Sequence, residues 1–139
     1  MSRYTYEGPR WYRTRIRARG PFVALIPPLI VGVVALLLLN LGNRASTGLS
    51  GLFLGVCAAP GLLAVGAPFS SSSWYPFGIA ISVVLWLVVG FVVSRRVTRN
   101  PMATWSDYWR DYAYVAVGIC AGCTAALVIA RIVIGDALI

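Results

Sequence analysis

Four long apolar stretches alternate with short polar ones along this chain. Residues 22–41 carry no charge, and 20 residues in a helix rise about 30 Å, enough to cross a bilayer core. Comparable stretches follow at 49–67, 77–94 and 113–134, the last uninterrupted over 113–130. Polar links occupy 42–48, 68–76 and 95–112. The pattern predicts an all-α membrane protein: a compact bundle of four transmembrane helices forming one domain, 22–139, preceded by a basic, aromatic arm at 1–21. An uncleaved first span is expected.

The second stretch is the weakest of the four. It carries Gly51, Gly55, Gly61 and Gly66, with CAAPG at 57–61. Pro60 removes a backbone N–H, and in hydrocarbon the carbonyl it frees must find another partner. Two readings follow. One is a kinked helix packed through Gly51 and Gly55. The other is a re-entrant segment that breaks at Pro60 and Gly61, leaving three spans. In the first stretch, Pro27 and Pro28 mark either a kink or the true helix start.

The links carry their own signals. Gly42 is suited to cap the first span, and Ser46 and Thr47 to cap the second. In PFSSSSWYP, 68–76, two prolines bracket a turn, and Trp74 and Tyr75 suit an interface. The link SRRVTRNPMATWSDYWRDY, 94–112, is the richest. Arg95 and Arg96 end the third span. A helix then starts either at Asn100-Pro101 or at Thr104, with Asp107 completing a capping box. Trp105, Tyr108, Trp109 and Tyr112 stand at i, i+3, i+4 and i+7 and share one face. A short interfacial helix at about 101–112 is expected, its aromatic face in the headgroup layer or against a partner. The alternative is a fourth span that starts early. In the arm, arginine alternates with Thr14, Ile16 and Ala18, which sets charge around the whole circumference and predicts an irregular segment. Tyr4, Tyr6, Trp11 and Tyr12 are placed to dip into the interface.

Charge raises a topological question. Twelve basic residues, all arginine, face four acids, for a net charge of +8. They cluster beside the apolar stretches, at Arg13, Arg15, Arg17 and Arg19 and again at Arg95, Arg96 and Arg99. That placement points to anionic headgroups rather than nucleic acid. The positive-inside rule puts both clusters in the cytoplasm, with the N-terminus, of a protein in the plasma (inner) membrane. An even number of crossings must then separate them, yet three apolar stretches lie between.

Candidate chemistry is sparse. There is no histidine, and the acids Asp107 and Asp111 read as a wetted face balancing Arg110. Cys120 and Cys123 form C-A-G-C on one helical face, a weak redox candidate beside the ordinary role of cysteine as a small buried residue. With Cys57 they make no four-ligand set, so neither metal nor cofactor is expected. Gly118 with Gly122, Ala121 with Ala125, and Gly51 with Gly55 have the spacing that lets helices approach closely. Arg131 lies near a span end, where it can snorkel. These features favour a non-catalytic accessory or assembly subunit of a larger membrane complex, or a self-associating chain. The alternatives are an oligomeric transport component and a membrane-embedded thiol oxidoreductase.

Overall fold

The computed structural model describes residues 9–41, 45–66 and 72–136. Tyr4, Tyr6, the Gly42 cap, Arg44 and the serines before Ser72 lie outside the described residues. The elements are α1 (Pro9–Val23), α2 (Ile26–Leu41), α3 (Ala45–Ala58), α4 (Gly61–Ala64), a 3₁₀ turn (Ser72–Trp74), α5 (Tyr75–Val97) and α6 (Trp105–Asp136). Three helical stretches are long and apolar enough to cross a membrane: Trp11–Leu41, Tyr75–Val97 and Trp105–Val133. The chain is an all-α, multi-span integral membrane protein.

α5 is the central post. Gly78, Ser82, Trp86, Gly90 and Ser94 are all buried along it, and Thr98 caps it. Each is four residues from the next. Such a row is inclined to the helix axis, so it meets different partners along its length. At its start it packs on α4: a β-carbon on Gly78 would fall 2.8 Å from Leu62 Cδ2 and 3.1 Å from Leu62 Cα. Towards its end it packs on α1. There a β-carbon on Gly20 would overlap the Ser94 hydroxyl, and one on Gly90 would fall 2.8 Å from Pro21 Cα. The side chains of Ser82, Ser94 and Thr98 return hydrogen bonds to the carbonyls of Gly78, Gly90 and Ser94 at 2.6–2.7 Å. Their hydroxyls are thereby satisfied inside an apolar environment.

The arm departs from the irregular segment expected: it is helical from Pro9. Charge around the circumference is no obstacle, because one narrow stripe suffices to dock it. Ile16, Gly20 and Ala24 are buried against α5 and α6 while Arg15 and Arg19 stay exposed. α1 nearly continues into α2, with Ala24 and Leu25 as the joint. Ala24 N–H donates to the Gly20 carbonyl at 3.0 Å and Leu25 N–H to the Phe22 carbonyl at 3.1 Å. The ladder fails where Pro27 and Pro28 offer no N–H.

Residues 49–66 are not one helix. α3 ends at Ala58 after 14 residues, about 21 Å and short of a bilayer core, and Pro60 precedes the four-residue α4. α2 and α3 form an antiparallel pair. Gly51 lies against Leu39 and Ala35, Gly55 against Ala35, and Ala58 against Gly32. α3 therefore climbs from the finish of α2 to Ala58, whose carbonyl meets Trp86 midway along α5. α4 then turns back, with Gly61 beside Ser82 and Leu62 beside Gly78.

The separate interfacial helix at 101–112 is also replaced. α6 begins at Trp105 and runs unbroken for 32 residues, so the aromatic turns are the start of the span. Asn100 does not cap it; its Oδ1 accepts the Met102 N–H at 3.0 Å in a local turn. The cap is Thr104. Its N–H and hydroxyl donate to Asp107 Oδ2 at 3.1 and 2.9 Å, and Asp107 N–H donates back to Thr104 Oγ1 at 3.4 Å.

Candidate functional site

The polar chemistry gathers at one end of the bundle, where α1 enters, α5 finishes and α6 starts. This arginine end brings together residues far apart in sequence. Arg13 Nε donates to the Thr98 carbonyl at 3.2 Å, and Arg17 Nε to Thr98 Oγ1 at 3.0 Å. The first bond satisfies a carbonyl that α5 leaves unpaired at its C-terminus, where a cation is favoured. Arg13 and Arg17, one turn apart, line an open cleft of about 620 Å³ with Thr14 and Ala18.

The other arginines there are engaged differently. Arg15 lies over the Trp11 ring, 3.9 Å from its centroid, and Arg95 over Phe91 at 4.6 Å. Arg96 pairs with Asp111 at 3.7 Å, and Arg110 with Asp107 at 3.3 Å. These four belong to a second cleft, of about 210 Å³, with Val97, Asn100 and Ala103. Arg19 and Arg99 are exposed.

The aromatic face splits in two. Trp109 is partly exposed and Trp105 half-buried, as an interfacial pair would be, whereas Tyr108 and Tyr112 are buried against α1. Tyr108 Oη donates to the Gly20 carbonyl at 2.7 Å and Tyr112 Oη to the Ala24 carbonyl at 2.8 Å. The second bond has a definite cause. In an unbroken helix the Ala24 carbonyl would accept from residue 28, which is proline; Tyr112 replaces that donor.

The break in CAAPG is mended in the same way from α5. Trp86 Nε1 donates to the Ala58 carbonyl at 2.8 Å, and Gly61 N–H donates to Ser82 Oγ at 2.9 Å. Trp86 and Tyr112 are themselves in contact, ring centroids 5.9 Å apart. The two helix breaks thus share one aromatic junction. The junction is not apparent from residue order. Its signal was there, in the four-residue spacing of Gly78, Ser82, Trp86, Gly90, Ser94 and Thr98, but no rule for Gly and Ala pairs alone would reach it.

The remaining candidates are dispersed. Cys57 and Cys123 are buried and Cys120 half-buried, all three as free thiols. Cys57 is on α3, and Cys120 and Cys123 are on α6. Among the described residues no group of three His, Cys, Asp or Glu is placed to hold a metal ion. Nothing within 4 Å would meet a β-carbon on Gly118 or Gly122, and Ala121 and Ala125 are exposed beside them. Arg131 is exposed near the far end of α6. Comparison with known families, curated proteins and solved structures gives no match to this chain.

Proposed function

We propose that this chain is a non-catalytic assembly subunit of a larger membrane complex, docked through the outer face of α6. The observation that carries the reading is the contrast between the two long C-terminal helices. A third of the most apolar window of α5 is buried, against 6% in α6. Lipid alone can cover an apolar helix, but Gly118, Ala121, Gly122 and Ala125 give lipid little surface to cover. What they permit is close approach by another helix backbone. The mended breaks favour the same reading, because the polar backbone at mid-bundle is tied up internally rather than offered to a passing solute.

The test is gentle detergent extraction of the full chain, followed by sizing and identification of what remains bound. A membrane protein held at fixed stoichiometry is expected. Gly118→Leu with Gly122→Leu should release it while the lone chain stays folded. A monomer without a partner would overturn the proposal. Thiol–disulfide chemistry is the second reading, supported by the free thiols of Cys120 and Cys123, three residues apart on α6. Replacing Cys120 and Cys123 with alanine separates the two: an assembly subunit keeps its partner, and a thiol enzyme loses its cellular phenotype.

The proposed topology is three spans with a re-entrant segment at 45–66, both arginine clusters in the cytoplasm of a plasma (inner) membrane protein, and the C-terminus outside. Its support is the meeting of Arg13 and Arg17 with Thr98, which sets both clusters at one end. Two crossings then separate them, as the positive-inside rule requires. Single cysteines at positions 45 and 72 of a Cys-free variant should be labelled from the same, outer side. Labelling from opposite sides would restore four spans.

A further inference from the structure

We propose that Arg13 and Arg17 form a binding site for a phosphate group, supplied by the headgroup of an anionic phospholipid. The two guanidinium groups sit one helical turn apart and are held by the same residue, each through Nε, to the carbonyl and the hydroxyl of Thr98. That tether fixes their direction and leaves their terminal nitrogens, four per pair, as donors at the mouth of the cleft. Among the described residues neither arginine has an ion pair. The carboxylates at this end, among the described residues, are held by other partners, Asp111 by Arg96 and Asp107 by Arg110. Two oriented forks with no counter-ion among the described residues, in a cleft of about 620 Å³, match the tetrahedral oxygens of a phosphate better than a single carboxylate.

The surroundings favour a lipid as the source. Thr14, Ala18, Phe22 and Ile26 follow one another at four-residue intervals down α1 and into α2. Ala18 lines the cleft, Phe22 is 68% exposed and Ile26 51% exposed. An anion seated at the arginines therefore has an apolar path beside it, running in the direction an acyl chain must take. Trp11 and Tyr12, half-buried on the same helix, suit the level of the headgroups. Arg15 and Arg95 are stacked on aromatic rings instead.

The test uses the full chain in a zwitterionic detergent, titrated with short-chain phosphatidylglycerol and with phosphatidylcholine of the same chain length. Bound lipid is counted by native mass spectrometry, and inorganic phosphate serves as competitor. Phosphatidylglycerol is expected to bind at least about tenfold more tightly than phosphatidylcholine, and Arg13→Gln with Arg17→Gln to remove that preference. Arg17→Lys keeps the charge but loses the fork, and should weaken binding severalfold. Arg131→Gln, which removes the same charge at the other end of α6, should leave binding within about twofold. Lipid that resists millimolar phosphate assigns the headgroup as the source. Displacement by phosphate alone supports the site and assigns a free anion. Equal binding of the two lipids, or an equal loss in Arg131→Gln, overturns the proposal. Should the double glutamine variant fail to fold, Arg17→Lys carries the comparison.

Discussion

Gly90→Val is expected to destroy the packed bundle. A β-carbon at position 90 would fall 2.8 Å from Pro21 Cα and 3.1 Å from the Gly20 carbonyl. Both are main-chain atoms of α1 and cannot rotate aside. Relief requires α1 to move off α5. That movement would break the contacts of Gly20 with Ser94, pull Ala24 from Tyr112 and draw Arg13 and Arg17 from Thr98. Overpacking in an adaptable core costs about 1–3 kcal/mol, and here the loss should exceed that range because a whole interface separates. The measurement is unfolding in detergent by increasing denaturing surfactant, with helix content and tryptophan emission as readouts. Gly118→Val is the companion variant. Nothing within 4 Å meets its added β-carbon, and the lone chain should change by less than about 1 kcal/mol. Equal stability of the two variants would remove α1–α5 contact as the organising interface.

Trp86 carries the second large effect. The indole closes the space between α3, α5 and α6 and satisfies the Ala58 carbonyl. Trp86→Phe keeps most of the ring volume and deletes the donor. It leaves a buried carbonyl at mid-bundle unpaired, at a cost of about 1–3 kcal/mol. Trp86→Ala adds a cavity and should cost about 3–5 kcal/mol. The same unfolding titration should rank parent, Phe and Ala in that order. Hydrogen exchange of the amides around Ala59 to Leu63 should rise in Trp86→Phe ahead of exchange in the middle of α5. If the Phe variant matches the parent in both measurements, the indole hydrogen bond does not hold the break.

Much of this was legible from residue order alone. Apolar runs at 77–94 and 113–134 became α5 and α6 with modest extension, because an uncharged run of that length has few alternatives in a bilayer. CAAPG reads as either a kink or a break because proline cannot complete the ladder, and residue order alone does not choose between them. What could not be read was where the broken ladders find replacement donors. Ser82, Trp86 and Tyr112 are ordinary residues for an apolar helix, and only the chain path brings them to Gly61, Ala58 and Ala24. The buried state of Tyr108 and Tyr112 was hidden for the same reason. Four aromatic residues on one face suit a headgroup layer, and the docking of α1 divides them into an inner and an outer pair. The expected irregular arm differs for another reason: the alternation of arginine with Thr14, Ile16 and Ala18 sets charge all round, yet a docked helix needs only one narrow uncharged stripe.

The mended breaks also impose an order on biosynthesis. The Ala58 carbonyl accepts from a residue 28 positions later, and the Ala24 carbonyl from one 88 positions later. Both donors leave the ribosome after the acceptors they serve. A nascent chain stopped before Ser82 would lack the partners of both the Ala58 carbonyl and the Gly61 N–H, groups that need replacement partners in hydrocarbon. The segment at 45–66 is therefore expected to wait at the membrane surface or beside the insertion machinery until α5 arrives. The joint at Ala24 closes only when α6 emerges. Maturation of this bundle is expected to be a late event, completed as α5 and α6 reach the breaks that precede them.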